Sequence, residues 1–88
     1  MKVKINPKIE NAALARAARH AIVKSHLDIS ELNISSTGGT VELNGKIKSP
    51  RDYPGNMDVR KEFENLKNMI RNVRGVRDVN GERVKLFD

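Results

Sequence analysis

From Thr40 to Ser49 the sequence TVELNGKIKS alternates apolar and polar positions, with Val41, Leu43 and Ile47 on one parity. A period of two predicts a strand with one buried face. Gly45 shares that parity and leaves the inward face without a side chain. Such a gap marks either a backbone that approaches closely or a bulge. Just upstream, LDISELNISS sets Leu32 and Ile34 at strand spacing, and Thr37-Gly38-Gly39 supplies the positive φ angles of a hairpin turn. The two strands therefore predict a hairpin.

Either side of it the period lengthens. Asn6 before Pro7 is a helix start, because Asn caps free N–H groups and proline at the first helical position gives up no hydrogen bond. Leu14, Ala17, Ala18, Ala21 and Ile22 fall on one side of a helix predicted over Pro7 to Ser25, and Ser25 continues the stripe. Arg16, Arg19, His20 and Val23 take the other side, flanked by Lys8 and Lys24. A face of short side chains can lie very near a sheet. The alanines and Gly45 are thus expected to form one packing device, with a bulge at Gly45 as the alternative.

Two prolines and a glycine make SPRDYPGN, Ser49 to Asn56, a loop. Beyond it Asn56 or Asp58 can cap a second helix, in which Val59, Phe63, Leu66, Ile70 and Val73 recur at intervals of 4, 3, 4 and 3. Gly75 is expected to end that helix as a left-handed cap. In the tail, VRDVNGERVKLFD, the apolar parity of Val76, Val79, Val84 and Leu86 shifts at Asn80-Gly81. That shift predicts either a bulge in one strand or a tight turn between two short ones. The expected fold is α+β: helix, strand, strand, helix, strand, with both helices on one face of a small three-stranded mixed sheet. A right-handed crossover sets the last strand parallel to the second.

With 88 residues the chain makes one modest core, so the expected organisation is an N-terminal arm and helix start over 1–8 and a single domain over 9–88. Cysteine is absent, which removes disulfides and thiolate metal sites. No apolar run is long enough for a signal peptide or a membrane span, and a cytoplasmic location is expected for the chain as given.

Charge sharpens the picture. The formal net charge is +6, unevenly spread. Residues 1–26 carry six cations against one acid, residues 27–45 three acids and no cation, and residues 46–88 eleven cations against seven acids. This balance favours anionic partners. Arg60, Lys67, Arg71 and Arg74, at intervals of 7, 4 and 3, form a stripe along one flank of the second helix, with Glu64 in reach of Arg60 and Lys67. Together with Arg16, Arg19 and Lys24 on the first helix they are the candidate basic patch.

Leu14, Ala18, Ala21 and Ile22, then VELNGKI, then VRGVRDV before a final strand resemble the BON domain family, small bacterial modules named from osmotic-shock and nodulation proteins. The resemblance spans roughly residues 9–86 and centres on Leu43-x-Gly45-x-Ile47 and Val73-x-Gly75-Val76-x-x-Val79. It implies Gly45, Gly75 and Val76 as structural motif positions. It also implies a non-catalytic role in binding phospholipid or other polymers at membranes and envelopes. The chain departs from the family pattern in a longer Ser49–Asn56 loop, a second helix richer in large apolar and charged residues, and one extra residue in VNGERV.

Catalytic chemistry is not expected. His20 and His26 are six apart, off the (i, i+4) spacing of a helical metal pair, and capping and ion pairing account for Asp52, Asp58, Glu62 and Glu64. No metal or cofactor is expected. Aromatic residues make up 3% and tryptophan is absent, so lipid contact should be electrostatic rather than inserted. The expected partner is an anionic membrane surface or another polyanion. A protein partner, including a second copy of the chain, is the alternative, and sequence-independent nucleic-acid binding ranks after it.

Overall fold

The computed structural model describes residues 7–50 and 57–87. Its elements run α1 (Pro7–Ile22), β1 (Leu32–Thr37), β2 (Thr40–Lys48), α2 (Val59–Arg71) and β3 (Asp78–Phe87). One sheet of order β1-β2-β3 results, with β1 antiparallel and β3 parallel to the central β2. This is the expected α+β order and strand direction. The Asn6 cap, Asp52 and Asn56 lie outside the described residues.

Alternation in β2 buries Val41, Leu43 and Ile47 beneath both helices. α1 lies chiefly over β1 and α2 over β3, and the helices touch each other. They contribute unequally. Val59, Phe63, Leu66 and Ile70 of α2 are all buried, whereas from Glu10 to Ile22 α1 buries Ala18 and Ile22, with Leu14 packed at the margin. At about 1.5–3 kcal/mol per large apolar side chain, the four α2 residues supply roughly 6–12 kcal/mol of gross burial, an upper bound. α2 is therefore the main anchor, and Asp58 starts it by accepting a hydrogen bond from Lys61 N at 3.1 Å.

Polar contacts fix α1 instead. Ser36, inward on β1 and buried, donates through Oγ to the Asn11 carbonyl at 2.7 Å. Asn11 Oδ1 accepts from Gly38 N at 3.3 Å, in the two-residue hairpin turn where Gly38 and Gly39 both take positive φ.

Three expectations need correction. At Gly45, φ is +108°, and an added Cβ would overlap the carbonyl oxygen of Glu31, which accepts from Lys46 N at 3.1 Å. The backbone that comes close is therefore that of the neighbouring chain segment, not the alanine face of α1, and Ala17 of that face is exposed. From Asp28 to Leu32 the chain takes four steps while its partner, from Lys48 back to Gly45, takes three. The extra residue therefore falls in the segment opposite Gly45, not at Gly45 itself, where the bulge alternative places it. Secondly, α1 stops at Ile22, short of Ser25. Thirdly, α2 ends at Arg71 with Asn72 as a right-handed cap, and Gly75, φ +98°, belongs to the next turn, closed by Val76 N donating to Val73 O at 3.1 Å. Val76 packs against the core from there.

In the tail the bulge prevails over the turn. Glu42 pairs with Asn80 and Asn44 with Arg83, so β3 carries one extra residue at Gly81-Glu82 and continues as a single ten-residue strand.

A methyl group at Gly45 is strained twice, by φ and by the Glu31 carbonyl. Gly45→Ala is expected to lose about 2–4 kcal/mol in urea unfolding. Gly38→Asn, with open space around its Cβ and a side chain that tolerates positive φ, should lose less than about 0.5 kcal/mol. Equal losses at the two positions would contradict this assignment.

Candidate functional site

The cationic stripe of α2 forms as a physical row, and each member meets a different environment. Lys67 is the most confined, its side chain 17% exposed. Its Nζ lies 5.0 Å from the Phe63 ring centroid and 2.7 Å from Glu64 Oε1. Arg71 donates to Asn68 Oδ1 at 2.7 Å, and Arg60 is exposed on the first turn. Arg74, past the helix end, is exposed and lines a cavity of about 670 Å³ with Arg77, Glu10, Leu14 and the hairpin glycines. Among the described residues, Arg60, Arg71 and Arg74 make no ion pair.

The cations of α1 stand elsewhere. Arg19 Nη2 donates to Leu32 O at 2.8 Å, while Arg16 Nε turns back to Ala12 O at 3.4 Å. β1 bonds to β2 through the carbonyl of Glu31, so the next carbonyl, Leu32, points to the outer edge of the sheet. Arg19 thus occupies one carbonyl at the start of the β1 edge. Lys67 instead lies against Gly81 of β3, the opposite edge. Lys24 is exposed just past the end of α1. Of the seven candidates, Arg19 and Lys67 therefore stand at opposite edges of the sheet, while Arg74 lies beside α1 in the cavity it shares with Glu10 and Leu14.

The face of the sheet away from the helices is polar, as alternation requires. Asn33, Ser35, Glu42, Asn44, Lys46, Lys48 and Lys85 are all exposed on it. The extra residue in β3 adds Arg83 and Phe87, which pair in register with Asn44 and Lys48. Sequence parity assigned neither residue to this face. The signal was present in the apolar shift at Asn80-Gly81, which sets Val84 and Leu86 inward and so turns Arg83, Lys85 and Phe87 outward; strand pairing adds what each stands opposite.

One end of this face has its own ion-pair network. Lys48 Nζ sits 2.6 Å from Glu31 Oε2, and this hydrogen-bonded contact holds the Glu31 carboxyl below the usual carboxylate range. The Asp28 carboxyl is lowered chiefly by the Ser30 hydroxyl, which donates to Oδ1 at 2.7 Å, and then by Ser30 N at 3.0 Å. Both contacts are solvent-exposed, so their weight in stability is small.

Among the described residues no group of three or more His, Asp or Glu side chains is placed to hold a metal ion. Among the described residues no helix is long and apolar enough to cross a membrane. No protein-family model matches the chain, and neither a curated protein nor a solved structure shows significant similarity to it.

Because the folded-state values of Asp28 and Glu31 are depressed, their contribution is present above the ordinary carboxylate range and fades as pH falls through the depressed values. Ser30→Ala removes the leading cause at Asp28. Its carboxyl titration midpoint, followed by NMR, should rise toward the ordinary value while that of Glu31 stays in place. An unchanged Asp28 midpoint would contradict the assignment.

Proposed function

We propose that the chain is a non-catalytic binding module that associates peripherally with an anionic surface, phospholipid or another polyanion, through the exposed flank of α2. The observation that carries this is Arg60 and Arg71 on α2, the helix most firmly anchored in the core, with Arg74 just past its end: three guanidinium groups without an ion-pair partner among the described residues. Each cation near an anionic bilayer contributes about 1 kcal/mol, so three acting together give roughly a hundredfold in binding. Lys67, already paired with Glu64, adds less. The BON-like motifs support the same role.

Pairing with a protein strand is the competing reading, and the sheet edges favour it less. Arg19 occupies one outward carbonyl of the β1 edge, at Leu32, and the bulge at Gly81-Glu82 interrupts the β3 edge. Such devices discourage edge-to-edge addition.

Vesicle sedimentation tests the proposal. The wild-type chain should bind vesicles containing anionic phospholipid at low salt, bind neutral ones weakly, and detach as salt rises. Replacing Arg60, Arg71 and Arg74 together by Gln should weaken binding at least about thirtyfold. Absence of binding to anionic vesicles at low salt, or unchanged binding by the triple variant, would refute it.

A further inference from the structure

The open face of the sheet has a second, separate arrangement of charge and hydrogen-bonding groups. Cross-strand register sets Asn33, Asn44 and Arg83 in one row across all three strands. In the next row along the strands Lys46 stands directly opposite Lys85, and Phe87 lies one row further, opposite Lys48. Neighbouring strands are about 4.8 Å apart and successive rows about 6.6 Å. Phe87 is 42% exposed, one of the few large apolar side chains left open to solvent.

These groups are not satisfied within the chain. Among the described residues the side chains of Asn33, Asn44, Lys46, Arg83 and Lys85 make no hydrogen bond or ion pair, and Glu31 is committed to Lys48. Like charges directly opposite in a sheet repel each other. Two lysines and an arginine gathered this way, beside a half-exposed ring, form a surface that an anion with a flat apolar part would relieve.

We propose that this face binds single-stranded nucleic acid: Lys46, Lys85 and Arg83 contact the backbone phosphates, the Asn33 and Asn44 amides hydrogen-bond exposed base edges or sugars, and a base stacks on Phe87. The chemistry favours this occupant over two others. A bilayer offers phosphates but no base edges for the amides. A duplex offers phosphates while its bases are stacked inside, leaving the amides and the ring without partners. One aromatic rather than a row limits the platform to a short stretch, two or three nucleotides across.

The test is fluorescence anisotropy with labelled oligouridylate and oligothymidylate of about eight nucleotides, beside a duplex of the same length, at about 50 and 200 mM salt. Single strands should bind more tightly than the duplex and weaken with salt. Phe87→Leu, which keeps an apolar side chain but removes the ring, should cost about tenfold. Lys85→Gln should weaken all single strands alike and flatten the salt dependence. The Arg60, Arg71 and Arg74 triple Gln variant should bind within about twofold of wild type. In the unmodified chain the side-chain amide signals of Asn33 and Asn44 should shift on adding the oligonucleotide. No single-strand binding at low salt would overturn the proposal, as would equal affinity for the duplex, or amide signals and a Phe87→Leu affinity that do not change. Because vesicle binding depends on the α2 row and this binding on the sheet face, either can fail alone.

Discussion

The Phe63 ring lies on the backbone of Gly81, and any side chain at that position would collide with it. This contact accompanies the extra residue in β3, and on that residue the identity of both sheet faces depends. Counting from the buried Val79 without a bulge, Arg83, Lys85 and Phe87 would point into the core and Val84 and Leu86 to water. The shift at Gly81-Glu82 reverses this. Val84 and Leu86 pack against the core, and the two cations stay solvated. Burying them unpaired would cost several kcal/mol each. Lys67 lies over the other face of the same arrangement, its ammonium 5.0 Å from the Phe63 centroid. Helix, ring and bulge form one stack.

From that stack follows the division of labour between the helices. α2 buries four large side chains and leaves its arginine flank free, so its cations can serve a ligand. From Glu10 onward α1 buries little, and Asn11, Ser36 and Arg19 tie it to the sheet. With its guanidinium on the Leu32 carbonyl, Arg19 is a structural group first.

Most of the fold was legible in the chain because its elements have strong local signals. The α2 stripe from Val59 to Ile70, the Gly38-Gly39 turn and the alternation of β2 each agree with the structure, whereas Val73, the last position of the stripe, falls beyond the helix end. The points that failed depend on non-local pairing. Gly45 is shaped by a carbonyl fourteen positions earlier in the chain, and no local pattern distinguishes that from a helix approaching above. The end of α2 was misplaced because Gly75 has the positive φ expected of a cap while serving the following turn. As for the site, the α2 row was visible from spacing alone. The placement of Arg19 and Lys67 at opposite edges, and the partners that Arg83 and Phe87 meet on the open face, required knowing the strand order and register.

Solvent exposure along β3, measured by NMR with an inert soluble paramagnetic agent, tests the bulge most directly. The account predicts strong broadening of Arg83, Lys85 and Phe87 side-chain signals, with Val84 and Leu86 largely protected. Protection of Arg83 and Lys85 together with broadening of Val84 and Leu86 would mean the strand runs without its shift, and both the core and the open face described above would be wrong.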